Sequence, residues 1–97
     1  MTASAVPDTV PSIRTQARFR RMRGTTMVGV GPAALELSDT AVVILGHVDG
    51  RRSVARIGEL VAQEFGIDAD EATADVLDLV RDLAGSGVLA LEAPEGP

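Results

Sequence analysis

Few residues in this 97-residue chain could do chemistry. It has no cysteine, which removes disulfides, thiolate nucleophiles and cysteine metal sites together. His47, the only histidine, stands in the last turn of a helical pattern with no partner constellation, so it reads as a surface residue suited to the negative end of a helix. Asp68, Asp70 and Glu71 form an acidic cluster, but the other ligands and the glycine of a calcium loop are missing. Helix capping accounts for that cluster. Gly29-x-Gly31-x-x-Ala34, with Asp49 further on, imitates a dinucleotide fingerprint. Only residues 33–40 remain for the intervening helix, too few for a crossover, and Pro32 interrupts the phosphate turn. Paired carboxylates for acid–base work would need a pocket, and two aromatic residues offer little to build one. No catalytic residue, metal site or cofactor is expected, which leaves binding as the class of function.

The elements that would position a binding surface are legible in the periodicity. Residues 1–13, punctuated by Pro7 and Pro11, read as a flexible N-terminal tail. From Ala17 to Arg23 the side chains alternate with period two, Gly24-Thr25 supplies a turn, and Thr26–Val30 returns as the second strand of a hairpin. Gly31-Pro32 punctuates again, and the short run to Leu37 forms a third strand, marked as a sheet edge by Pro32 and Glu36. Ser38 or Asp39 caps a helix whose apolar face is Ala41, Ile44, Leu45 and Val48, ended by Asp49-Gly50. Ser53 caps a second helix carrying Val54, Ile57, Leu60, Val61 and Phe65, with Gly66 at its left-handed end. Asp68 to Glu71 open a third helix that runs to about Ala84 before Gly85-Ser-Gly87. Val88 to Leu91 is either a last strand or a segment folded back on the core, and residues 92–97 read as a second tail. One domain over residues 14–91 is expected.

Charge divides the chain. Residues 1–52 hold seven arginines against four acids, a net of +3, and residues 53–97 hold two against ten, a net of −8. No apolar run approaches the roughly 18 residues of a membrane span, and the N-terminus lacks a secretory signal, so a soluble cytoplasmic chain without a membrane partner is expected.

On a wheel of about 100° per residue, the third helix places Leu79, Ala72, Leu83, Val76 and Val80 on one face. Thr73, Ala84 and Leu77 widen the uncharged arc to roughly 160°, and Glu71, Asp75, Asp78 and Asp82 form an acidic flank. Either Leu77 fills a corner of the core and the acids are solvated, or a groove lies beside the helix, apolar on its floor and acidic on its rim. A peptide with apolar anchors and a basic residue would suit such a groove.

Three strands followed by three helices make an α+β fold, a winged helix-turn-helix-like domain with a three-stranded antiparallel sheet. DNA binding is the obvious function for that outline, but the third helix would carry Glu71, Asp75, Asp78 and Asp82, with Arg81 as its only cation, into the major groove. Nucleic acid is therefore not the expected partner, and a small regulatory or DNA-binding winged-helix module is kept as the alternative.

The order strand, Leu37-Ser-Asp-Thr-Ala41, apolar helix to Val48-Asp49-Gly50, Arg52-Ser-Val-x-x-Ile57, Phe65, Asp75-Val76, Leu83 and Gly87-Val-Leu89 resembles the PqqD family over about residues 14–91. That family comprises precursor-peptide recognition elements of ribosomally made, post-translationally modified peptide (RiPP) pathways. The resemblance implies a non-catalytic protein that adds the leader of a precursor peptide as a strand and presents it to a modifying enzyme, a radical SAM protein in pyrroloquinoline quinone (PQQ) biosynthesis. It implies a site along the third strand, Ala33, Ala34, Leu35, Glu36 and Leu37, and on the third helix at Asp75, Val76, Leu77, Val80 and Asp82. The exposed edge also allows a homodimer.

Overall fold

Two tight turns set the sheet. In the computed structural model, which describes residues 5–92, strand β2 (Arg18–Met22) pairs antiparallel with β3 (Thr25–Val30), and β3 with β4 (Ala33–Leu37). Arg23 and Gly24 both adopt positive φ, 53° and 80°, in the two-residue connection of the first hairpin. This primed turn follows the right-handed twist of the strands it joins. Gly31 at φ 58° followed by Pro32 makes the second connection, with Val30 opposite Ala33.

Three helices follow, as the periodicity predicts: α1 (Asp39–Gly46), α2 (Val54–Phe65) and α3 (Ala69–Gly85). Ser38, not Asp39, is the first cap, its hydroxyl accepting from the Ala41 N–H at 3.1 Å. Ser53 Oγ accepts from the Arg56 N–H at 3.1 Å, and Asp68 accepts from the Asp70 and Glu71 N–H groups at 3.0 and 3.3 Å. Helix α1 is shorter than its apolar pattern: His47 is its C-cap, and Val48 enters the core from outside it. Gly66 closes α2 in the left-handed conformation.

The core lies between the inner face of the sheet, through Val28 and Leu37, and the facing sides of α2 and α3, through Ile57, Val61, Ala72, Val76 and Val80. Helices α2 and α3 approach closely at Gly58, where a Cβ would stand 2.9 Å from the Thr73 Cα. Only a residue without a side chain fits there without separating the helices.

The N-terminal segment departs from the expected tail. Val10–Ile13 form β1, which pairs antiparallel with β5 (Leu89–Glu92), so Val88 to Leu91 resolves as part of a strand and its approach. Upstream of β1, Ala5 is fully buried. The Pro7 and Thr9 carbonyls accept from the N–H groups of Ala55 and Val54, each at 2.9 Å. These donors lie in the first turn of α2 and have no partner within the helix. Arg81 donates from Nε and Nη2 to the Ala5 carbonyl at 3.2 and 2.8 Å. Main-chain carbonyls do this work, so the segment needs no apolar periodicity and shows none. Glu92, expected in the second tail, ends β5; residues 1–4 and 93–97 of the two tails lie outside the described residues.

Candidate functional site

The sheet order is β2-β3-β4, so β4 has a strand on one side only. Val30 and Ala33 close a two-residue hairpin and form its hydrogen-bonded pair; Leu35 and Leu37 then bond inward to Val28 and Thr26. The N–H and C=O groups of Ala34 and Glu36 consequently face away from the sheet. Side chains alternate across the strand, leaving Leu37 buried, Leu35 half-buried and Glu36 exposed.

A cleft of about 470 Å³ runs between this strand and α3. Leu35, Glu36 and Leu37 form one wall, continued by Ser38 and Ala41 at the start of α1, and Leu79, Asp82, Leu83 and Ser86 form the other. Its floor is aliphatic; Asp82 stands on the α3 wall, while Glu36 borders the cleft from β4 with its side chain alternating to the face opposite Leu35 and Leu37. The cleft can take an extended chain with an apolar side chain on the floor and a cation beside Asp82, and a side chain on the chain's other face would lie near Glu36.

The structure brings together four of the expected site residues, Leu35, Glu36, Leu37 and Asp82. Ala33 and Ala34 are exposed and extend the strand beyond the cleft. Val76 and Val80, expected in the site, are fully buried in the core and do not line the cleft. Leu77 is half-buried against the core and does not line the cleft, and Asp75 is exposed outside the lining. The groove uses the flank of α3 that carries Leu79. Sequence reasoning missed Leu79, Leu83 and Ser86 on α3, and Ser38 and Ala41 on α1. A signal existed for Leu79, which stands within about 60° of Asp75 and Asp82 on the wheel, at the border of apolar and acidic faces.

The other candidates fall into structural roles. His47 Nε2 lies 3.4 Å from Glu64 Oε1 at the surface. Asp49 Oδ1 accepts from the N–H groups of Arg52 and Arg51 at 2.8 and 2.9 Å, and these bonds hold its carboxyl below the ordinary value of 3.8. Gly29 belongs to β3 and Gly31 to the following turn, not to a phosphate loop. Among the described residues no three His, Cys, Asp or Glu side chains cluster as metal ligands, and no helix is long and apolar enough to cross a membrane.

Comparison with known proteins fixes the family. The profile of "Coenzyme PQQ synthesis protein D (PqqD)" matches residues 26–89. The chain belongs to the PqqD family. It is thereby a member of a family of non-catalytic proteins. The PqqA binding protein of Xanthomonas campestris pv. campestris is 33% identical over 86 residues, covering 87% of this chain and 94% of that protein. The solution structure of the PqqD truncation of Methylobacterium extorquens PqqCD, described as a functional and stand-alone RiPP recognition element, superposes with a TM-score of 0.75 at 30% identity. It covers 92% of this chain and 96% of that one. Lasso peptide synthetase B1, solved with its leader peptide, shares the fold with a TM-score of 0.72 at 19% identity, over 84% of this chain and 98% of that one.

Proposed function

We propose that this PqqD-family protein captures the leader segment of a ribosomally made precursor peptide as an additional strand on β4. It then presents the rest of that peptide to a modifying enzyme, a radical SAM protein of a PQQ-type or related RiPP pathway in the cytoplasm. The observation that carries this reading is the open edge of β4 beside an aliphatic cleft bordered by Glu36 and Asp82. The outward N–H and C=O groups of Ala34 and Glu36 bind any extended backbone, and the cleft selects the side chains. Leu35, Leu37, Leu79 and Leu83 receive an apolar anchor, while Glu36 and Asp82 favour a lysine or arginine. A protein binding the PqqA peptide among the relatives supports the ligand class. The same edge would pair two copies into a homodimer that the leader displaces.

Calorimetric titration with the synthetic leader from a neighbouring short reading frame, at two salt concentrations, tests the proposal. The expected result is a Kd near 1 μM, about −8 kcal/mol, with weak salt dependence, since main-chain bonds and an apolar floor are screened little. Absence of leader binding together with salt-sensitive binding to duplex DNA would transfer the protein to the winged-helix regulators.

A further inference from the structure

The opposite edge of the sheet has a chemistry that leader capture does not use. Residues 9–35 contain five arginines, at 14, 18, 20, 21 and 23, and no Asp or Glu. All five are exposed, in a chain whose net charge is −5. The ion pairs among the described residues are His47–Glu64, Arg52–Asp49 and Arg56–Glu59, so this cluster has no carboxylate partner there. Arg18 reaches only the carbonyls of Thr15 and Ala17, and Arg21 only the Thr26 hydroxyl. Phe19 and Met22, exposed by 43% and 51%, stand between the arginines. Below Phe19 opens an apolar pocket of about 310 Å³, with Ile13 at its mouth and Leu37, Val42 and Leu45 behind.

Strand register gives this patch a pattern. Met22 opposite Thr25 closes the hairpin, so Arg18 and Arg20 bond inward to β3, and the backbone groups of Phe19 and Arg21 point outward. Arg18 and Arg20 project from the outer face of the sheet, whereas Phe19 shares the inner face with Val28 above the pocket. Arg21 alternates to the same side as Phe19, with its Nη1 on the Thr26 hydroxyl at the rim of the pocket, so a strand laid on β2 would meet Arg18 and Arg20 on one face and an apolar recess rimmed by Arg21 on the other.

We infer that β2 is a second docking edge, for an acidic polypeptide segment in which carboxylates alternate with an apolar anchor. The carboxylates pair with Arg18 and Arg20, and the anchor seats beside Phe19 in the pocket. Such a segment is repelled by Glu36 and Asp82, so it belongs to a partner other than the occupant of the β4 cleft. Duplex nucleic acid fits less well: a phosphate backbone has no apolar group for the pocket, and α3 carries five carboxylates on the same small domain.

The test is amide NMR mapping of the full chain with a short synthetic peptide alternating Glu with Leu, and a control in which Lys replaces Glu. Saturable shifts at Phe19, Arg21, Val42 and Leu45 with the Glu peptide alone are expected. They should disappear in Arg18→Glu/Arg20→Glu, and the affinity should fall about tenfold in Phe19→Ala, whose fold is checked by circular dichroism. Leader binding by the same variants should be retained, which separates this proposal from the function proposed for β4. It is overturned by absence of shifts, by an equal response to the Lys peptide, or by shifts confined to the β4 cleft. Binding of duplex DNA at Arg18–Arg23 that displaces the peptide would also overturn it, as would a dimer in sedimentation that Arg18→Glu/Arg20→Glu dissolves.

Discussion

Strands β4 and β2 are the two open edges of one sheet, built to the same backbone rule and finished with opposite side chains. Each turns two residues' worth of N–H and C=O groups outward, Ala34 and Glu36 on one side, Phe19 and Arg21 on the other. An unpaired edge accepts any extended chain, so hydrogen bonding alone cannot distinguish partners. The distinction lies in what flanks the edge: leucines with Glu36 and Asp82 beside β4, and arginines around a phenylalanine on β2. In the two roles proposed, opposite charge at the two edges would let one small domain hold two different chains and would disfavour each chain at the wrong edge.

The comparison breaks most visibly at the floor of the β4 cleft. Leu79→Asp should weaken leader binding by at least about 2 kcal/mol, roughly thirtyfold, because the leader's anchor then buries a carboxylate. Leu77→Asp, on the far flank of α3, should leave leader affinity unchanged in whatever fraction remains folded. Calorimetry on both variants decides which flank is the groove. A smaller loss, about 1 kcal/mol or roughly fivefold, is expected of Ala34→Pro, which deletes an outward donor while sparing every bond to β3. Unchanged affinity in that variant, with the sheet intact by circular dichroism, would remove strand addition from the mechanism. Arg18→Glu/Arg20→Glu should shift leader affinity by no more than about twofold, since exposed charges are screened by salt; a larger loss would show that the edges are not independent.

The smallest effect concerns acid. Asp49 has its carboxyl lowered by the Arg52 and Arg51 N–H groups, so the ionised form stabilises the fold above the ordinary value of 3.8. That contribution is lost as pH falls through the lowered folded value. Thermal unfolding followed below pH 4 should show this acid-side decline in the native protein and a shallower one in Asp49→Asn.

The hairpin and the three helices were legible because their signals are local. Gly24 and Gly31 mark turns that demand positive φ, while Ser53, Asp68 and Gly66 cap helices through groups a few residues away. The site was half legible. Alternation identifies Leu35, Glu36 and Leu37, but a helical wheel reports only that α3 has a wide apolar arc, not which edge of the arc meets β4 and which meets α2. Val76 and Val80 were expected in the site for that reason: their burial depends on the crossing of α2 at Gly58 and Thr73. Strand β1 was illegible because its partner, β5, lies at the other end of the chain.

That last pairing sets the order in which the molecule can be completed. Residues 5–13 take their partners from three places further along the chain: the first turn of α2 for the Pro7 and Thr9 carbonyls, Arg81 for Ala5, and Leu89–Glu92 for β1. The hairpin and the α2–α3 pair close over short loops, whereas joining Ala5 to Arg81 closes a loop spanning 76 positions. Residues 5–13 and β5 thus act as a latch, and Arg81 engages it from the side of α3 turned away from Leu79. The helix that walls the cleft is thereby held from behind by contacts of long loop closure, whereas the two sheet edges are set by tight hairpins, so the edges can form before the groove is complete.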